Sequence, residues 1–221
     1  VIFGEWIART HPTGTFGNSI VSSSALRKIC AHYGVNFQEV LTGFKWLAKI
    51  EDLAFGYEEA IGYAVDSETV NDKDGISAAV VIVAMVAELK EKGLSVNEYL
   101  EKIGQEYGFH STDQISLRFT DLKQIEQLLN KVIDQPPAVL SGHTLVSKEN
   151  LIQSKLMPTP GIRLKYENDI RVIIRPSGTE PKIKFYIMIN EKEGTLEEKR
   201  LSAQAKIKEI LDYMSERADR A

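Results

Sequence analysis

The sequence predicts an α/β domain, with a mixed sheet and helices on both faces, followed by a smaller α+β domain at the carboxyl end. Over residues 17–118, short apolar strand-like stretches alternate with segments of helical periodicity, which is typical of a partly parallel sheet between helices. Over residues 119–221, a run of strand-like segments is closed by one final helix, which indicates a separate α+β domain. We expect residues 1–16 to be the helical remnant of a preceding domain, because the chain starts at Val1 within a helix-like segment.

The first predicted domain opens with a helix that has clear start and stop signals. The serines at 22–24 can cap this helix, and Gly34 can end it. Its apolar residues have the spacing of one helical face and are Leu26, Ile29, Cys30 and Tyr33. The segments that follow are, in order, a strand over 35–42, a short helix opened by 43–46, a strand over 53–55, an acidic loop over 56–62, a long helix ending near Lys92, and a helix with a capping box of Ser95 and Glu98.

The second predicted domain is a succession of strands between two helices. One helix follows the alternating stretch 114–119 and ends at the prolines 136–137. A capping box of Thr195 and Glu198 opens the final helix. The strand-like segments between the helices are 138–140, 162–166, 170–174 and 183–189, with a tight turn at 167–169.

Composition and charge exclude several classes of function. The chain has 221 residues, of which 43% are hydrophobic and 26% charged, the mix of an ordinary globular protein. Its net charge of −4 leaves no basic surplus for binding nucleic acid. The longest apolar run, 76–89, is too short to span a membrane and predicts a buried helix. Cys30 is the one cysteine, so no internal disulfide can form, which favours a cytoplasmic setting. Because Cys30 lies on an apolar helix face, we expect it in the core and not as a nucleophile.

The segment Arg-Pro-Ser-Gly-Thr-Glu-Pro-Lys at 175–182 predicts an anion site suited to phosphate. It lies between two strand-like stretches, so two strands would hold it in place. A guanidinium offers a planar fork of donors, hydroxyls add further donors, and a glycine lets backbone amides approach an anion closely. The candidate phosphate-binding residues are Arg175, Ser177, Gly178, Thr179 and Lys184. An ordinary hairpin loop with an exposed arginine is the alternative.

Three loops of the first domain carry candidate substrate-binding residues. Lys45 follows a glycine turn, and Lys73 lies near the positive end of the long helix, where an anion could bind. Glu58 and Glu59 could accept hydrogen bonds from sugar hydroxyls, hold a metal ion, or remain solvated. Asp74 is best explained as the cap of the long helix.

These motifs resemble, in order, those of the α-D-phosphohexomutases, the phosphoglucomutase/phosphomannomutase superfamily. The segment 175–182 resembles the phosphate-binding loop of the last domain of that family. In the first predicted domain, 42–46 resembles the lysine loop of the family's third domain, 56–62 its sugar-recognition loop, and 72–75 its Lys-Asp-Gly segment. The resemblance thus spans nearly the whole chain and implies the third and fourth domains, the carboxyl-terminal half of the family's fold.

The resemblance implies a role for each candidate. Glu58 would bind the 3- and 4-hydroxyls of the sugar in either orientation of the substrate, and Lys45 and Lys73 would help to place it near the reacting phosphate. The residues that would hold the phosphate not being transferred are Arg175, Ser177, Gly178 and Thr179. Ala60 is a departure, because family members often have serine there. The sugar therefore stays open between glucose, mannose, ribose and deoxyribose phosphates.

Two motifs that the family's reaction needs do not occur in this sequence: a phosphoserine loop of the Ser-His-Asn-Pro type and a magnesium-binding Asp-Gly-Asp-x-Asp-Arg loop. The resemblance therefore implies a fragment that binds no cofactor or metal itself, has no certain catalytic residue and is inactive alone. Its partner would be a missing amino-terminal half that carries the phosphoserine and Mg²⁺. Two alternatives stay open, namely a stand-alone sugar-phosphate-binding module and phosphopentomutase-type activity in the parent enzyme.

Overall fold

The structure, a computed structural model, describes residues 1–154, 158–178 and 180–219. The chain forms two compact units, Val1–Gly108 and Phe109–Ala221. The predicted fold class is confirmed, because the first unit has a mixed sheet between helices and the second has an antiparallel sheet with helices. The second unit is slightly longer than the first, however, and not smaller as predicted.

A four-stranded mixed sheet forms the centre of the first unit. Its strands are β1 Thr15–Ser19, β2 Asn36–Val40, β3 Leu53–Glu58 and β4 Gly62–Ala64, in the spatial order β2-β1-β3-β4. β1 pairs in parallel with β2 and β3, and β4 returns antiparallel to β3. The prediction of a loop over 56–62 is therefore wrong in its bounds, because the residues at both ends pair across a hairpin and only 59–61 turn.

Helices cover both faces of this sheet. In chain order they are α1 Ile2–Thr10, α2 Ala25–Tyr33, α3 Phe44–Leu47, α4 Gly75–Glu91 and α5 Val96–Tyr107. The short α3 packs on one face through Leu47, next to Ile50. The other four helices pack on the opposite face around Phe16 and Phe55, whose ring centroids are 5.5 Å apart. The predicted stop of α2 is confirmed, because Gly34 adopts a left-handed φ of 69°.

The boundaries of the two units differ from the predicted domain boundaries at both ends of the first domain. Residues 1–16 do not stand apart as a remnant, because α1 buries Phe3, Ile7 and Ala8 in the core of the first unit. The boundary predicted after residue 118 lies instead after Gly108, because the segment 109–118 is a strand of the second sheet.

α4 is buried on only one side, which corrects the prediction of a buried helix. Ala78, Met85 and Leu89 pack on the unit, whereas Ile76 and Val83 are 80% and 67% exposed. In a layered domain a helix packs through one side, so an all-apolar sequence leaves its other side in water. In the part of the chain that the structure describes, no helix is both long and apolar enough to cross a membrane.

The second unit is built on a six-stranded antiparallel sheet. Its strands are β5 Phe109–Arg118, β6 Val139–Leu140, β7 His143–Asn150, β8 Ile162–Tyr166, β9 Ile170–Pro176 and β10 Lys182–Glu191, in the spatial order β5-β10-β9-β8-β7-β6. The predicted turn between β8 and β9 is confirmed, with Asn168 and Asp169 at left-handed φ of 55° and 62°. The sequence does not predict β7, because its last four residues, Ser-Lys-Glu-Asn, are all polar.

Two helices, α6 Leu122–Asp134 and α7 Leu196–Asp219, bury one face of this second sheet. Leu128 and Ile210 of these helices belong to the same hydrophobic cluster as Ile174 and Phe185 of the sheet. Each unit therefore has a hydrophobic core of its own.

Candidate functional site

The candidate residues of the first unit lie at one edge of its sheet. Ser19, Val40 and Glu58 are the last residues of β1, β2 and β3, which run parallel. The carboxyl ends of these strands consequently point the same way, and ligands of α/β sheets bind in the crevice outside such ends. The predicted lysine loop after β2 and the acidic turn after β3 are thereby brought to the same edge.

Glu58 connects the acidic turn to the lysine loop. It is half-buried at the end of β3, and its carboxylate accepts a hydrogen bond from the backbone amide of Gly43. Gly43 has a φ of 113°, a conformation that favours glycine, and it directly precedes α3. Lys45 is the second residue of α3 and is exposed, with its Nζ 5.5 Å from the ring centroid of Trp46. The predicted loops of Lys45 and Glu58 therefore form one structural group.

Glu59 is held by two serines for which the sequence indicated no role. The Ser19 hydroxyl donates to Glu59 Oε2 over 3.0 Å, and the Ser22 hydroxyl donates to the same oxygen over 3.3 Å. Both serines are buried, and their hydroxyls are 2.9 Å apart. Asn18 fixes the turn between them and α2 by donating to the carbonyl of Ser23 over 2.9 Å. The signal available in the sequence was a hydroxyl-rich segment just after a strand, but β1 itself was not predicted.

Lys73 lies next to the same group of loops. Its Nζ is 5.4 Å from the ring centroid of Phe44, the first residue of α3. Gly62 at the start of β4 leaves room for both, because a Cβ at this position would lie 2.6 Å from Cε2 of Phe44 and 3.3 Å from Cδ of Lys73. Lys73 and Glu58 thus both contact the segment 43–44, which directly precedes Lys45.

Asp74 has the capping role that the sequence indicated. Its carboxylate accepts hydrogen bonds from the amides of Ile76 and Ser77 at 3.1 and 2.9 Å. These bonds, that of Ser77 above all, lower the pKa of Asp74. The Asp74 side chain is therefore bound at the start of α4.

The candidate residues of the second unit lie on the hairpin of β9 and β10. Arg175 in β9 lies directly opposite Lys184 in β10. Like charges opposite one another destabilise a sheet, and an anion bound between them would relieve the repulsion. The Lys184 ammonium also lies 5.7 Å from the ring centroid of Tyr186. The register thus places two cations side by side at the loop that the sequence marked as an anion site.

The loop between these strands is tightly closed. The Ser177 amide donates to the carbonyl of Lys182 over 2.8 Å, and the Lys182 amide donates to the carbonyl of Glu180 over 2.7 Å. Open space surrounds the position where a Cβ of Gly178 would lie, so a ligand can approach the backbone there. Thr179, the remaining candidate of this loop, lies outside the described residues.

Glu180 is bound by cations at the edge of this loop. It forms ion pairs with Lys182 and with Arg118, the latter at 2.9 Å. These contacts, that of Lys182 above all, lower the pKa of Glu180. The carboxylate is therefore engaged by these cations, and its negative charge is partly offset near the anion loop.

Two features bear on metal and nucleophile chemistry. Among residues 1–154, 158–178 and 180–219, no group of three or more His, Cys, Asp or Glu side chains has the arrangement of a metal site. Cys30 is buried, and burial raises the pKa of its thiol to about 12. The Cys30 thiol therefore stays protonated at neutral pH, and its predicted place in the core is confirmed.

Comparison with known proteins decides the family. Residues 1–107 match the family model described as phosphoglucomutase/phosphomannomutase, alpha/beta/alpha domain III. A Haemophilus influenzae protein named "Probable phosphomannomutase" is 42% identical over 174 residues, which cover 79% of this chain and 36% of that relative. The chain belongs to the α-D-phosphohexomutase superfamily. The match to the third phosphohexomutase domain includes α1 and ends next to the unit boundary after Gly108.

Further relatives agree with this assignment. A phosphoglucomutase of Staphylococcus epidermidis is 30% identical over 201 residues, which cover 81% of this phosphohexomutase chain and 37% of that relative. The crystal structure of pp63/parafusin, a phosphoglucomutase from Paramecium, has the same fold, with a TM-score of 0.71 and 19% identity over 99% of this chain and 40% of that one. The chain thus spans little more than a third of the length of the relatives it matches.

Proposed function

We propose that this chain supplies sugar and phosphate recognition to a phosphoglucomutase/phosphomannomutase-type enzyme. Such an enzyme is an intramolecular phosphotransferase that interconverts sugar 1-phosphate and 6-phosphate through a bisphosphate intermediate. The observation that carries the proposal is the hydrogen bond from Gly43 to Glu58, because it joins the acidic turn and the lysine loop in a domain of this family.

The first unit would bind the sugar. The carboxylate of Glu58 is an acceptor-only group at the edge of the sheet, suited to a pair of neighbouring sugar hydroxyls. Glu59 would be oriented by Ser19 and Ser22, whose hydroxyls donate to it. The exposed ammonium groups of Lys45 and Lys73 would attract the phosphate of the substrate.

The second unit would hold the phosphate that is not being transferred. Arg175 can donate two parallel hydrogen bonds to a phosphate, and Lys184 opposite it adds a second positive charge. Ser177 and Gly178 offer a hydroxyl and an accessible backbone segment. Thr179 is included on the resemblance of the loop to that of the family.

The donor phosphoserine and the magnesium site would belong to the part of the relatives' length that this chain does not span. Mg²⁺ would supply charge stabilisation during phosphoryl transfer, while the residues of this chain bind and orient the sugar phosphate. We therefore expect the chain to have no mutase activity alone. The single cysteine, which is buried, agrees with a reducing, cytoplasmic setting.

A ligand titration tests the binding roles. Glucose 1-phosphate added to the isotope-labelled chain should shift the backbone amides of Gly43, Ser177 and Gly178. Arg175→Ala should remove the shifts in the second unit, and Glu58→Gln those in the first. Arg200→Ala, at a 62% exposed side chain on α7, is the matched control and should leave both intact. Mannose and ribose phosphates titrated in the same way rank the sugars.

An activity assay tests the place of the chain in a longer enzyme. The chain alone should not convert glucose 1-phosphate, whereas co-expression with the amino-terminal portion of the Haemophilus influenzae relative should restore conversion. Binding without restored conversion would favour a stand-alone sugar-phosphate-binding module. Absence of both shifts and conversion at millimolar ligand would refute the proposal, and conversion by the pure chain would refute its inactivity.

A further inference from the structure

One side of α4 presents a continuous apolar surface to solvent. The most exposed large side chains are Ile76 at 80% and Val80 and Val83 at 67% each. We name this surface the α4 face, made of Ile76, Ala79, Val80, Val83, Ala84, Val86 and Ala87. The sequence from 75 to 87 contains no charged side chain, so nothing polar interrupts the face apart from Ser77.

The α4 face is not needed to complete the core of the first unit. Ala78, Met85 and Leu89 already bury the opposite side of the helix against that core. With 100° between successive residues, positions 76, 80, 83 and 87 share a side that points away from 78, 85 and 89. The core of the first unit is therefore complete without burial of the α4 face.

Helix propensity does not explain the choice of residues on this face. Valine and isoleucine are poorer helix formers than alanine, lysine or glutamate, which would suit a solvated position. Each exposed valine or isoleucine lacks the stabilisation that burial of its side chain would give. Contiguous apolar patches of this kind mark interaction surfaces.

The position of α1 indicates which part of a longer polypeptide covers the α4 face. Phe3 packs on Tyr63 with ring centroids 5.0 Å apart, and the carbonyl of Tyr63 accepts the amide of Asp74 at the start of α4. At the other end of α1, Trp6 and Arg9 donate to Glu88 over 2.8 and 2.9 Å. The two helices therefore pack on each other, with α1 beside the second half of α4.

A domain joined upstream of α1 would enter next to α4, the helix that carries this face. The matched family model is the third domain of its family, and the relatives are nearly three times as long as the region they share with this chain. We infer that the α4 face is the docking surface for the chain segment that precedes the third domain in phosphohexomutases. This inference rests on the proposed function, in which the present chain acts together with that segment.

Co-purification tests the inference. The tagged 221-residue chain, co-expressed with the amino-terminal portion of the Haemophilus influenzae relative, should retain that portion on an affinity resin. The double substitution Val80→Lys and Val83→Lys should lower the retained amount at least tenfold, because two charges would be buried in the contact. Leu100→Lys also replaces an exposed apolar residue with lysine, at a 45% exposed position on α5, and this variant should retain the wild-type amount.

Measurements of stability and of oligomeric state complete the test. Both variants should keep the wild-type unfolding midpoint. If the double variant fails to fold, Val83→Ala replaces it, because this substitution removes two methyl groups without adding charge. Equal retention by wild type and α4 variants, or no retention by wild type, would overturn the inference. So would a dimer of the chain alone, seen by sedimentation and abolished by Val80→Lys and Val83→Lys, because a second copy would then cover the face.

The two proposals fail separately. The α4 variants should show wild-type amide shifts at Gly43 and Ser177 on addition of glucose 1-phosphate, since the face includes no proposed ligand contact. Retention without ligand shifts would support docking and contradict sugar-phosphate binding. Ligand shifts without retention would support sugar-phosphate binding and contradict docking.

Discussion

Gly62 is the residue at which the geometry of the proposed sugar site is most tightly constrained. A Cβ there would lie 2.6 Å from Cε2 of Phe44, whose ring is buried and cannot easily move. We predict that Gly62→Ala displaces Phe44 and Lys73 and lowers the free energy of unfolding by about 1–3 kcal/mol, as overpacking does. Urea denaturation measures the stability, and the amide shift of Gly43 on addition of glucose 1-phosphate reports the damage to the loop.

Gly75→Ala is the matched control for this substitution. Nothing lies within 4 Å of a Cβ at Gly75, and alanine favours the helix that begins there. Its stability should equal or exceed that of wild type. An unchanged midpoint and an unchanged ligand response in Gly62→Ala would show that the Phe44 ring is not confined as described.

Single residues were predictable from sequence where their contacts are local. The capping roles of Asp74 and Ser95 involve neighbours within three residues and are confirmed. The contact of Ser19 with Glu59 joins residues far apart in the chain, and no periodicity or turn rule could reveal it. The opposition of Arg175 and Lys184 depends on the register of two strands, which sequence alone left open.

At the scale of elements, the same distinction explains what was missed. β1 is one of the two inner strands of the first sheet, yet its sequence, Thr-Phe-Gly-Asn-Ser, lacks the β-branched run of a typical strand. Its neighbours impose the extended form, and Gly17 is small because Leu47 and Ile50 pack directly over it. β3 and β9, with longer apolar runs, were recognised. α4 was recognised as a helix, but its exposure depends on what packs around it and not on its own sequence.

The contacts of Glu88 with Lys92 and with α1 should make stability depend on pH. A hydrogen bond from Lys92, followed by those from Trp6 and Arg9, lowers the pKa of Glu88 from 4.5 to about 2. A lowered folded-state pKa adds stability above the unfolded value, so this contribution is present above pH 4.5 and is lost as pH falls toward about 2. We predict that Glu88→Gln is less stable than wild type at neutral pH and that the difference shrinks through this window.

Urea unfolding of both proteins at about pH 6 and about pH 3 measures the effect. Glu91→Gln, an exposed position on the same helix, controls for the general loss of one negative charge. A stability difference between wild type and Glu88→Gln that is the same at both pH values would contradict the assignment of Glu88 as the group that titrates.

At the scale of the whole molecule, each unit has its own candidate binding residues and its own hydrophobic core. The first unit has the acidic turn and the lysines, and the second has the Arg175 loop. Each of the hydrophobic clusters described above lies within one unit. In the proposed function, the first unit would bind the sugar and the second a phosphate.

Because each unit has its own core, we predict that residues 1–108 and 109–221 fold when produced separately. Each has about 110 residues, which is enough to bury a core of its own. The sum of their circular dichroism spectra should match the spectrum of the whole chain, and each should unfold cooperatively. The exposed α4 face could make the first piece associate, so the variant with Val80→Lys and Val83→Lys is measured beside it. A non-cooperative transition in either piece, with α4 substituted, would show that the units depend on one another for folding.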